Sequence, residues 1–173
     1  SWNKKDFPFM AREIRRLVHD MIDTMNDAGG VGLAAPQVHI SSRVIIFSAP
    51  RERGDAEAGT TEFAPLTVLV NPSFEAVGEE IVPGWEGCLS IPGLTGVVPR
   101  HKHIRYQGID AATGEPVERE ATGFHARVVQ HEIDHLDGML YTMRMTNLGL
   151  LAFTDELRHF ARQAEDEEDD TDE

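Results

Sequence analysis

Apolar residues recur at steps of three and four from Met10 to about Asn26: Met10, Ile14, Leu17, Val18, Met21, Ile22 and Met25. That period puts them on one face of a helix, and it stops at Gly29-Gly30, where glycine accepts the left-handed turn that ends a helix. The methionines there read as core filler. A second helix is expected from Gly123 to Leu136, stopped by Asp137-Gly138, with Ala126, Val129, Ile133 and Leu136 as the stripe that anchors it. Between the helices the pattern changes to short β-branched runs. Arg43–Phe47 and Leu66–Val70 read as strands, and Ile104–Ile109 with Pro116–Glu120 as a hairpin across Asp110–Gly114. Ala49–Pro65 has no period and reads as a surface loop, and Thr154–Ala164 is a short amphipathic piece. No segment repeats. Strands in the middle and helices at both ends predict an α+β fold, with antiparallel or mixed sheets packed around the 123–136 helix and an N-terminal helix beside them.

Charge sharpens the domain limits. The 173 residues hold 16 Lys+Arg against 30 Asp+Glu, a formal net charge of −14, and eight of those acids lie in Gln163–Glu173. A run of like charges without apolar residues cannot repay the entropy of ordering, so residues 1–162 are expected to form one folded domain and 163–173 a disordered tail. An acidic chain is a poor match for phosphate backbones, so no direct nucleic-acid binding is expected. The single cysteine excludes an intrachain disulfide framework. No apolar stretch reaches the roughly 20 residues of a membrane span, and no secretory leader is visible. The expectation is a soluble, intracellular single domain.

The candidate chemistry centres on Gln130-His131-Glu132-Ile133-Asp134-His135. Residues four apart on a helix share a face, close enough for two imidazoles to hold one cation, and Glu132 sits one step round, near enough to handle a proton. Two histidines can also fall at this spacing on a polar face by chance. The remaining histidines (His19, His39, His101, His103, His125 and His159) are scattered and read as surface or hydrogen-bonded residues. A catalytic metal site needs three protein ligands and an open position. Cys88, in Glu86-Gly87-Cys88-Leu89-Ser90, is the better third ligand; a lone cysteine is otherwise an inert buried residue or a nucleophile.

These residues resemble the peptide deformylase family. Its three signatures stand in order: Gly30-Val31-Gly32-Leu33-Ala34-Ala35-Pro36-Gln37, then Glu86-Gly87-Cys88-Leu89-Ser90, then Gln130-His131-Glu132-Ile133-Asp134-His135-Leu136-Asp137-Gly138. The resemblance runs from about Met10 to Met145, and the third motif with the Ala49–Pro65 insertion looks closer to the organellar-type branch. It implies hydrolysis of the N-formyl group of N-terminal formyl-methionine on newly made peptides, releasing formate. Cys88, His131 and His135 would hold one divalent metal, Fe2+ in the cell, with Zn2+, Ni2+ or Co2+ able to substitute. Glu132 would be general base and then acid. Gln37 and the Leu89 N–H would stabilise the oxyanion. The backbone of Val31, Gly32 and Gly87 would pair with an extended substrate, and Val31, Glu86, Phe124, Arg127 and Val128 would line the methionine pocket with His131 at its base. Thr95 stands about where several members have an arginine, implying one peptide-side contact fewer.

The resemblance further implies N-formylmethionyl nascent peptides as partners, transient proximity to the ribosome, a monomer or homodimer, and a cytoplasmic or organellar location. Two other classes fit the helix motif alone. A metalloprotease or other amidase would cleave internal bonds, and a closed structural metal site would need a fourth ligand. The Cys88 ligand and the three motifs speak against the first; Glu132 and Gln37, neither of them needed merely to hold a metal, speak against the second.

Overall fold

A computed structural model describes residues 12–50 and 62–157. Helix α1 spans Arg12–Asp27 and buries Val18, Met21, Ile22 and Met25, as the three-and-four pattern requires; Ile14 and Leu17 are partly buried against the same cluster. It ends where expected: Gly29 has φ +66°, and the Gly30 N–H donates to the Met25 carbonyl at 2.9 Å. Met10 lies outside the described residues, as do most of the 49–65 segment, the 158–164 part of the C-terminal amphipathic piece and the 163–173 tail. The described start of that piece is a 3-10 turn at Thr154–Glu156.

The strands are β1 (Gly32–Ala34), β2 (Val44–Ala49), β3 (Ala64–Ala76), β4 (Ile81–Cys88), β5 (Ile91–His101), β6 (His103–Asp110), β7 (Pro116–Thr122) and β8 (Leu151–Phe153). They form a five-stranded sheet in the order β1-β2-β3-β6-β7 and a three-stranded sheet in the order β4-β5-β8. The recorded pairings are antiparallel. Helix α2 spans Gly123–Leu136 and helix α3 Tyr141–Arg144. The architecture is α+β. By chain contacts there are two compact units. The first comprises residues up to Val82 together with Arg100–Leu140; the second comprises Pro83–Pro99 and the chain from Tyr141 onward.

In the first unit the five-stranded sheet carries a helix on each face. Val44 and Ile46 of β2 pack with α1, while Ile45, Phe47 and Ala49 pack with Ala126, Val128, Val129 and Ile133 of α2. Alternate residues of a strand point to opposite faces, so a strand buried on both sides needs a continuous apolar run, which Val44-Ile45-Ile46-Phe47 supplies. Tyr106 and His125 meet Phe47 in the α2-side core, with ring centroids 5.5–5.9 Å apart. Burial pushes the Tyr106 phenol up, against the lowering pull of Arg119.

Strand β3 outruns its sequence signal. Asn71-Pro72 reads as an end, because proline cannot donate to the ladder and restricts the residue before it. Here Asn71 takes a left-handed conformation (φ +52°), the register shifts between Val70 and Ser73, and pairing with β6 resumes to Ala76. The bulge presses on β6, where a Cβ on Gly108 would sit 3.3 Å from the Val70 carbonyl oxygen and 3.4 Å from Pro72 Cα. Strands β4 and β5 are also longer than any apolar alternation suggests.

Candidate active site

Helix α2 packs against β1 and the 3-10 turn at Ala35–Val38. Its boundaries are those expected from the sequence, and its Ala126, Val129 and Ile133 stripe is buried, with Leu136 packed alongside. The C-terminal stop is a doubled turn: the Met139 N–H donates to the Asp134 carbonyl at 2.9 Å and the Gly138 N–H to that of His135 at 3.3 Å. Arg43 crosses to this end, donating to Asp137 Oδ1 at 2.7 Å, so a cation stands where the last carbonyls are exposed.

One turn apart on α2, the rings of His131 and His135 stand with centroids 4.9 Å apart and planes at 82°. Glu132 lies between them in sequence and is buried. Its side chain presses on β1 so closely that a Cβ on Gly32 would sit 2.7 Å from Glu132 Cδ and collide with Oε1. Only glycine leaves that room. Gln37, in the 3-10 turn, accepts the Ala34 N–H on Oε1 at 2.8 Å, which turns its NH2 group the other way, as a donor. Val31 packs on the α2-side core, and its carbonyl accepts the Ser48 N–H at 2.7 Å. Phe124 packs on the same core, Val128 is buried within it, and Arg127 Nη2 donates to the Val82 carbonyl at 2.9 Å.

In the second unit, Glu86 is buried in β4, Gly87 follows it and Cys88 ends the strand, half-buried. Leu89 and Ser90 make the turn into β5. The Ser90 N–H donates to Cys88 Sγ at 3.4 Å. The Tyr141 phenol is pushed up by burial, and further by Cys88 and Glu86. Thr95 of β5 is buried and shares a 2.7 Å hydrogen bond with Thr154, which opens the 3-10 turn after β8.

Two further residues of the third motif, with no role implied by spacing, are held firmly. Gln130 bonds the backbone of His101, and Asp134 pairs with Arg100. Their burial on a helix that also carries polar chemistry is the signal that could have singled them out. Arg100 has no such signal in the sequence.

The donor types suit a divalent cation. A thiolate in the second unit, from Cys88, and two imidazoles in the first, His131 and His135, are donor types that zinc and ferrous iron take. Glu132, buried on the same helix as the two imidazoles, adds a carboxylate to these donors. Donors and a carboxylate of these types are the chemistry of the metal-dependent hydrolase class.

Comparison with known proteins gives the family. The model of the polypeptide deformylase family matches residues 3–150. Peptide deformylase 1 of Bordetella pertussis is 50% identical over 145 residues, covering 84% of this chain and 80% of its own. Peptide deformylase 2 of Pseudomonas putida is 51% identical over 145 residues, covering 84% and 79%. Among solved structures, that of peptide deformylase from Ehrlichia chaffeensis aligns with a TM-score of 0.72 at 29% identity, covering 94% of this chain and 91% of that one. The Met-Ala-Ser-bound class I type b peptide deformylase from Acinetobacter baumannii aligns with a TM-score of 0.67 at 36% identity, covering 83% and 87%. The chain belongs to the peptide deformylase family, hydrolases that remove the N-formyl group from nascent peptides, and family membership implies a divalent metal.

Proposed function

We propose that Glu132 is the general base and acid of deformylation, and that Cys88, His131 and His135 hold the metal. The observation that carries this reading is the buried Glu132 carboxylate packed against the Gly32 backbone on the helix that presents both imidazoles. A divalent ion bound there supplies Lewis acidity, activating water near neutral pH and polarising the formyl carbonyl. Glu132 takes the proton of the attacking water and passes it to the departing amine, which must be protonated to leave. The Gln37 NH2 group and the Leu89 N–H donate to the oxyanion. The backbone of Val31, Gly32 and Gly87 pairs with the extended peptide. Val31, Glu86, Phe124, Arg127 and Val128 enclose the methionine side chain. The Acinetobacter relative is seen with Met-Ala-Ser bound, which supports a methionyl peptide as what this chain handles.

Ferrous iron is the proposed native ion, as the family resemblance implies; the thiolate and imidazole donors suit zinc equally. Action on nascent chains supports transient proximity to the ribosome. No helix among the described residues is long and apolar enough to cross a membrane; the bacterial relatives support a cytoplasmic site of action.

The test is Glu132→Gln. Formate release from formyl-Met-Ala-Ser is expected to fall by about 10²–10⁴-fold with bound metal unchanged. Wild-type turnover in that variant overturns the assignment. In parallel, Cys88→Ser is expected to lower metal content by elemental analysis, and full occupancy removes Cys88 from the ligand set.

A further inference from the structure

Two side chains of α2 tie it to the end of β5. The buried Gln130 faces the backbone of His101 in both directions: Nε2 donates to the His101 carbonyl at 2.9 Å, and Oε1 accepts the His101 N–H at 3.1 Å. Nε2 also donates to the Ala126 carbonyl at 3.0 Å. One turn further on, Arg100 Nη1 donates to Asp134 Oδ2 at 2.5 Å, with the two side chains only 4% and 5% exposed. Each helical residue advances about 100°, so Gln130 and Asp134 share one face, and His131 and His135, each one residue later, share the adjacent face. Fixing the first pair of positions fixes the angle at which the second is presented.

Stability alone does not explain this arrangement. A buried ion pair spends most of its attraction on desolvation, and apolar pairs of similar volume often do as well or better. Apolar burial is also non-directional. A charge-assisted hydrogen bond between buried groups, and an amide bonded to both the N–H and the C=O of one residue, are directional.

We propose that Gln130 and the Arg100–Asp134 pair are positioning residues for the metal centre, locking the rotation of α2 so that His131 and His135 stand at the angle a single cation requires. This rests on the reading of those two histidines as ligands. The clamp residues set ligand geometry through the helix that carries the imidazoles.

The test removes the charges while keeping the packing. Arg100→Met/Asp134→Leu is prepared as the full chain, loaded with Co2+, and followed by visible absorption, by Co2+ affinity against a chelator and by thermal melting. The expected result is a cooperative melt, Co2+ affinity weaker by about 10–100-fold and an altered absorption band. Gln130→Met shifts affinity and band in the same direction. Wild-type affinity and spectrum in both variants overturn the proposal. Should the double variant fail to fold, Arg100→Lys, which keeps the charge but loses the planar fork, decides by the same two readouts: weaker Co2+ binding upholds the clamp and unchanged binding refutes it. His135→Ala runs alongside. Undiminished Co2+ binding there refutes the ligand assignment, whereas lost binding there with normal binding in the clamp variants refutes the clamp alone.

Discussion

Arg100 and Arg105 lie five residues apart and meet carboxylates in opposite ways. Arg100 is buried against Asp134. Arg105 lies on the exposed face of β3, β6 and β7, reaching Glu75 at 3.1 Å, Glu120 at 3.0 Å and Glu118 at 3.7 Å, while His103 Nε2 shares Glu120 at 3.0 Å. The exposed arginine has alternatives, and water stands ready to replace any of them. The buried one is shut off from water, and its partner sits on the helix of the two proposed histidine ligands. Exposed ion pairs are exchangeable and weakly worth keeping, whereas half of a buried pair cannot be removed without stranding a charge. The same chemistry is a solvated surface in one place and a constraint on the site in the other.

Substitutions can break this comparison at several strengths. Gly32→Ala on the site side drives a methyl into the Glu132 carboxylate. Displacing that group by about 1 Å is expected to lower kcat/KM by about 10²-fold with the melting temperature little changed; undiminished kcat/KM means that the carboxylate's place beside Gly32 is not needed. Asp134→Asn leaves Arg100 buried against a neutral partner and is expected to cost about 3–5 kcal/mol of unfolding free energy in a denaturant titration. A loss under about 1 kcal/mol would put this pair in the same category as the surface array. Arg43→Ala at the end of α2 removes a half-exposed pair, 45% and 55% exposed, and is expected to cost about 0.2–1 kcal/mol in the same titration.

The smallest effect belongs to Glu120. Its carboxyl is held below the ordinary 4.5 by the Arg105 hydrogen bond first and by His103 next. A depressed value in the folded state means that the stabilisation is complete above the unfolded value and disappears as pH falls through the folded one. Wild-type and Glu120→Gln melts should therefore differ slightly at pH 7 and converge as pH falls below 4.5. A gap that widens on acidification would contradict the pairing.

Where local pattern and tertiary packing agree, the fold was legible in the sequence. Both helices show it, and so do β2 and the β6–β7 hairpin, whose Asp110–Gly114 turn carries strong local signals. Strand β3 beyond Asn71-Pro72 was hidden, because a bulge accommodated by Gly108 lets the ladder resume after a dipeptide that normally ends one. Strands β4 and β5 were hidden because Pro83-Gly84 and Pro92-Gly93 interrupt them and much of β4 is exposed, so no alternation marks them. For the site, spacing alone indicated the histidine pair, and the family resemblance supplied most of the remaining roles. Glu132 against Gly32 was out of reach of spacing, since it joins residues one hundred positions apart. Arg100 was equally silent: nothing about an arginine in a strand says that its guanidinium is buried.

The two-way bond between the Gln130 amide and the His101 peptide makes a side chain serve as one rung of a strand. The His101 N–H, at the last residue of β5, would otherwise be expected to exchange with solvent as freely as a frayed strand end. Bonded to Gln130, it exchanges only when α2 lifts from the sheet. A single amide in a hydrogen–deuterium experiment thus becomes a gauge of helix docking, readable with no substrate present.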